Sequence, residues 1–168
     1  MSEYPNLDLA RAIMSQKSPS DFKGNASQST ADRLDMADAS GCLTYVRQNA
    51  PTDNPDLMCS AVACYVDDSQ RQAFYNEVVK LTQTGYQSKR LRKHHANNLA
   101  KAVVIDTVRC VLTDKIKAEI LGISKGNFSK NHAFIFNKVS GEIASELSIA
   151  DDVAGEYWRA TFKEKQNT

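Results

Sequence analysis

The chain holds three histidines, His94, His95 and His132, and four cysteines, Cys42, Cys59, Cys64 and Cys110. None of the histidines stands in a Ser, Cys or metal-site signature, and no glycine-rich phosphate loop of either familiar kind occurs. Cys59 and Cys64 with His94 and His95 are the nearest approach to a metal half-site. Their spacing fits neither Cys-x-x-Cys ribbons nor the Cys-Cys/His-His finger, so the cysteines read as buried thiols. Asp67-Asp68 and Asp151-Asp152 are the acidic pairs that a divalent ion in a nuclease would use. Adjacent side chains on a helix diverge by roughly 100°, which makes capping and solvation the simpler roles. The expectation is a protein that is no enzyme and takes no cofactor or metal.

Binding chemistry is better represented. Residues 114–133, DKIKAEILGISKGNFSKNHA, have the pattern of a helix-turn-helix. Ala118 is the small residue where two helices pass closely, Gly122 supplies the turn, and Ser124 caps the second helix. Leu121, Ile123 and Phe128 are expected in the shared core. The start of the second helix then presents Lys125, Gly126, Asn127, Ser129, Lys130 and His132, donors of little bulk suited to major-groove base edges and phosphates. Asn131 joins this DNA-binding set, although an apolar residue is more usual at its position. A purely structural helical hairpin fits the same pattern.

A second basic group, Lys89, Arg90, Arg92 and Lys93 beside His94 and His95, would crowd two helical turns and repel itself unless an anion screens it. These cations are expected to touch phosphates or RNA without selecting sequence. Both groups fall within residues 85–140, which carry 11 Lys/Arg against 3 Asp/Glu, while residues 1–84 carry 7 against 11 and residues 141–168 carry 3 against 6. The formal total of +1 thus hides a basic segment between two acidic ones. The basic part is the footprint of a polyanion partner, double-stranded DNA first, and the acidic parts are free to meet protein.

The elements that must position these residues are helical. The 168 residues suit one domain with a core of its own, and no apolar run is long enough for a membrane span. The start of the chain lacks the layout of a secretory signal, so a cytoplasmic protein is expected. Residues 1–28 combine Pro5, Pro19 and Gly24 with many Ser and Asn and read as an extended, flexible N-terminal arm, in which Leu7 to Met14 suit one short helix. A helical domain over 29–168 follows. Ser29 and Asp32 resemble a helix start ahead of Leu34, Ala37, Leu43 and Val46, and Asn54-Pro55 opens a helix ending near Val66. After a start at Asp68-Ser69, Phe74, Val78 and Leu81 mark a helix closed by Gly85, and Leu91, Leu99, Val103, Val104, Val108 and Leu112 mark a longer one over 86–112. No window alternates in the manner of a strand, which makes the fold class all-α.

Three short stretches then resemble the late-gene antitermination proteins, called Q, of lambda-like bacteriophages. Ser15-Gln16-Lys17-Ser18-Pro19-Ser20-Asp21 is similar to their Lys-Ser-Pro stretch, Asp35-Met36-Ala37-Asp38-Ala39-Ser40-Gly41 to their next segment, and Ser148-Ile149-Ala150-Asp151 to a run near their C-terminus. Several members carry a zinc-binding insertion of Cys-x-x-Cys pairs, whereas this chain has none and resembles a shorter, metal-free branch. The resemblance implies a DNA element at a phage late promoter, loading onto paused RNA polymerase holoenzyme in the cytoplasm of a bacterial host, and travel with the elongation complex past terminators. It places the protein at the RNA exit channel, with nascent RNA a candidate contact. The alternative is a helix-turn-helix repressor or activator that does not travel with polymerase.

Overall fold

The computed structural model describes residues 2–15 and 34–167, and among them there is no strand. The helices are α1 (Pro5–Met14), α2 (Met36–Asn49), α3 (Pro55–Asp67), α4 (Arg71–Ser88), α5 (Ala96–Val108), α6 (Asp114–Leu121), α7 (Lys125–Asn127) and α8 (Ala133–Gln166). A 3₁₀ turn, Lys93–His95, precedes α5, and a π turn, Phe128–His132, joins α7 to α8. No helix among the described residues is long and apolar enough to cross a membrane. The chain divides into two compact units, one of Met1–Asp67 with Glu146–Thr168 and one of Asp68–Ser145, and α8 contributes to both.

In the first unit α1 packs on α2 and α3. Pro5 occupies the first turn of α1, where a missing N–H costs nothing. The next two donors, the N–H groups of Asn6 and Leu7, are each 2.9 Å from Asp151 Oδ1, and Trp158 Nε1–H donates to the Asn6 carbonyl at 2.9 Å. Asp151 is therefore a buried cap for another helix, not half of an ion-binding pair. The short helix expected at Leu7 to Met14 forms over Pro5–Met14, and with Leu7, Ala10 and Ile13 buried it is docked on its unit and is no part of a flexible arm. Residues 16–28 of that arm, and Ser29 and Asp32, lie outside the described residues.

The α2 helix begins at Met36, because Asp35 and Asp38 form a reciprocal capping box: each side chain accepts the other's backbone N–H. Ala37, expected on the buried stripe, is exposed, and Ala39, Cys42 and Val46 are buried instead. Asn54-Pro55 opens α3 as expected, with Asn54 Oδ1 accepting the Leu57 N–H at 3.3 Å. Cys42 and Cys64 are buried, Cys59 is half-buried and Cys110 is exposed, which corrects the expectation of four buried thiols. Burial, with the Asp151 charge a smaller cause, pushes the Cys42 thiol up to about 12.

In the second unit α4 packs on α5, and α5 on α6. Gly85 lies inside α4, not beyond its end. A Cβ there would stand 2.8 Å from Ile135 Cγ2, so the glycine permits close packing against α8. The helix closes five residues later in a Schellman motif, where the Leu91 N–H reaches the Tyr86 carbonyl at 3.0 Å and the Arg90 N–H reaches the Gln87 carbonyl at 3.1 Å. Arg90 holds the left-handed position with φ 55°. The continuous helix expected over 86–112 is thus interrupted, and its basic residues sit on a link and a 3₁₀ turn, where the like charges are not stacked on one helical face.

Candidate nucleic-acid interface

The segment expected to read DNA has the local geometry that its residues dictate. Thr113 Oγ1 accepts the Ile116 N–H at the start of α6, and α6 ends in a second Schellman motif, with Ile123 N–H to Ala118 O at 3.0 Å and Gly122 N–H to Glu119 O at 3.1 Å. Gly122 has φ 71°, a left-handed conformation that costs glycine little. Ser124 Oγ then accepts the Asn127 N–H at 3.1 Å and starts the next helix. Ala118, Leu121 and Phe128 are buried, and Phe128 meets Phe136 edge to face at 6.2 Å between ring centroids. Ile123 is only half-buried.

Lys125, Gly126, Asn127, Ser129, Lys130 and Asn131 are all exposed. Asn131 Nδ2–H donates to Asn127 Oδ1 at 2.7 Å, which holds the Asn127 amide and leaves its NH₂ group outward. The Asn127 oxygen keeps a second acceptor site, so its amide can still pair with an adenine edge while Asn131 braces it. The π turn explains why a polar residue occupies position 131. Its wider turn, closed by the Ala133 N–H on the Phe128 carbonyl, carries the inward-facing place from residue 131 to residue 132.

His132 is consequently removed from the DNA-contacting set. It is 5% exposed, its Nδ1 is 2.7 Å from the Tyr86 hydroxyl, and its ring meets that of His95 edge to face at 5.1 Å. His95 in turn lies against His94 at 3.9 Å between centroids. Burial lowers the pKa of His132, and the neighbouring His95 and His94 lower it further. His95 is lowered by burial and then by His94, against the opposing effect of its hydrogen bond to the Leu121 backbone. Burial also raises the Tyr86 hydroxyl, which keeps this polar core neutral.

Lys89, Arg90, Arg92 and Lys93 are exposed, and their link touches the chain after Gly122 at two points. Lys89 Nζ sits 4.4 Å from the centroid of the Phe134 ring, and the His95–His132 contact joins the 3₁₀ turn to the π turn. Tyr86 and Phe134 were not legible as part of this arrangement. The one available signal is that Phe134 falls out of phase with the buried stripe Ile135, Phe136, Val139 and Ile143, and it is 64% exposed.

The other candidate groups do not assemble. Cys59 and Cys64 belong to the first unit and His94 and His95 to the second. Among the described residues no three His, Cys, Asp or Glu side chains are placed to hold a metal ion. Asp68 has φ 64° and accepts Arg71 Nε–H at 3.0 Å in the turn before α4, while Asp67 ends α3. Compared with protein-family models, curated proteins and solved structures, the chain matches none.

Proposed function

We propose that the protein is a transcription antitermination factor that binds a double-stranded DNA element at a phage late promoter through the exposed start of the helix after Gly122. One observation carries the DNA-binding half of this reading: the basic link and the chain that follows Gly122 belong to a single unit and touch at Lys89–Phe134 and His95–His132. Lys125, Asn127, Ser129 and Lys130, with Asn131 bracing Asn127, supply base and phosphate contacts. Lys89, Arg90, Arg92 and Lys93 supply phosphate contacts. The resemblance of the short stretches to the Q proteins supports the second half, in which the protein loads onto paused RNA polymerase and acts sterically at the RNA exit channel. No covalent step is involved.

The test is in vitro transcription from a template with promoter, pause and terminator, with and without the protein. Readthrough that depends on the upstream DNA element is the expected result. DNA binding without readthrough, and no protein retained on polymerase downstream of the pause, would leave a repressor or activator that does not travel.

A further inference from the structure

Phe134 stands out among the exposed apolar side chains of the second unit because it is aromatic, carries a lysine ammonium against its ring, and borders a cavity of about 150 Å³. That volume is below the roughly 300–1,000 Å³ of pockets that enclose a drug-sized ligand. A single flat ring fits it better. We propose that this site binds single-stranded RNA, with one unpaired base displacing the Lys89 ammonium from the Phe134 ring and stacking in its place, and the flanking phosphates held by Lys89 and Lys138.

Three features favour this occupant. A base has a π-face whatever its identity, and stacking on an exposed aromatic ring flanked by cations is how single strands are held without sequence selection. Charge is complementary, since Lys89 and Lys138 line the cavity within a unit of 13 Lys/Arg against 6 Asp/Glu. Glu142 is the one acidic residue on the lining, and it marks the end where a phosphate would not sit. The third feature separates RNA from single-stranded DNA. Thr84 and Ser88 line the same cavity, and each spends its hydroxyl proton on a backbone carbonyl of α4, Lys80 O at 2.9 Å and Gly85 O at 2.9 Å. Their oxygens are left as acceptors, which a ribose 2′-hydroxyl can donate to and a deoxyribose cannot.

The site does not depend on duplex recognition, so its test uses an oligonucleotide with no promoter element. Fluorescence anisotropy of the full chain with an unstructured, labelled RNA of about 12 nucleotides would measure affinity, with DNA of the same sequence as the second arm. Phe134→Ala should weaken RNA binding by about 5- to 150-fold. Phe134→Trp should restore it, and the added exposed indole should be quenched by RNA beyond any change at the buried Trp158. Lys138→Gln should lower the slope of log affinity against log salt by roughly 0.7. Wild-type protein should prefer RNA to the matching DNA, and Thr84→Val with Ser88→Ala should erase the preference. Circular dichroism of the Phe134 variants checks folding. Unchanged RNA affinity in folded Phe134→Ala would overturn the site, and equal affinity for RNA and DNA would overturn its assignment to RNA. A Phe134→Ala protein that binds RNA normally but no longer binds polymerase would make the ring a protein contact instead.

Discussion

His132 is a histidine whose place in the chain invites a role at the surface and whose side chain is spent inside. With Nδ1 bonded to Tyr86 and the ring against His95, it sits where burial and two neighbouring histidines disfavour its charged form. Its depressed folded pKa means that the unfolded chain, titrating near 6.5, takes up the proton first as pH falls. Stability from this group is therefore fully present above about 6.5 and is lost progressively on acidification toward the lower folded value. His95 adds to the loss in the same direction. Thermal denaturation should show Tm falling between pH 7 and pH 5, with a shallower fall in His132→Phe; equal slopes would remove His132 as the cause. Tyr86→Phe at neutral pH leaves the buried Nδ1 without its partner and should cost about 1–3 kcal/mol in chemical denaturation. In the first unit, Asp151→Ala removes the acceptor for two α1 donors and should cost about 0.5–2 kcal/mol, by the same measurement.

At the scale of the helix, glycine is where the sequence was both most and least readable. Gly122 is a left-handed closure, announced by the apolar stripe ending at Leu121 and by a capping serine two residues on. Gly85 carries the same local signal, but tertiary packing uses its missing Cβ, and the closure falls on Arg90, which no propensity rule would select. The register of α2 was hidden for a related reason. The capping box Asp35/Asp38 could be read only by preferring it to Ser29/Asp32, and Ala37 suits either face. By contrast, the α3 start at Pro55 and the buried Phe74, Val78, Leu99 and Val103 followed directly from local chemistry and period. The π turn leaves no mark in residue type, so which of Asn131 and His132 faces inward could not be read beforehand. Two substitutions test the closures. A left-handed non-glycine residue costs about 1–2 kcal/mol, so Gly122→Ala should lower stability by about that much although its Cβ would meet nothing within 4 Å. Arg90→Gly should stabilise by less, since the unfolded chain gains freedom, while lowering the salt slope of duplex binding by about one unit. An unchanged slope with raised Tm would show Arg90 to be a solvated residue in a strained turn.

Across the whole molecule, the two acidic ends of the chain fold into one unit and the basic segment into the other. The first unit carries 8 Lys/Arg against 14 Asp/Glu and the second 13 against 6, so the boundaries at residues 67 and 145 turn a net charge of +1 into −6 and +7. A unit of net charge −6 is repelled on balance by DNA and RNA backbones. If the protein travels with polymerase after leaving its DNA element, something other than the basic unit has to keep it there. Met36 is the candidate anchor, a large apolar side chain 51% exposed at the start of α2, beside the exposed Asp35 and Ala37 and within a stretch that resembles the Q proteins. Since Asp35 caps the helix, substitution there would confuse folding with contact, whereas Met36→Lys and Ala37→Lys change only an exposed surface and should shift stability by no more than about 0.5 kcal/mol. Both variants should bind the promoter element as the parent does and yet fail to carry polymerase through the terminator. Asn127→Ala should do the reverse at the first step, losing about 1–3 kcal/mol of discrimination at one base pair. If Met36→Lys and Ala37→Lys keep full readthrough, α2 is not the tether; if every readthrough-defective variant of the acidic unit also loses DNA binding, the protein is a regulator that acts and stays at its DNA site.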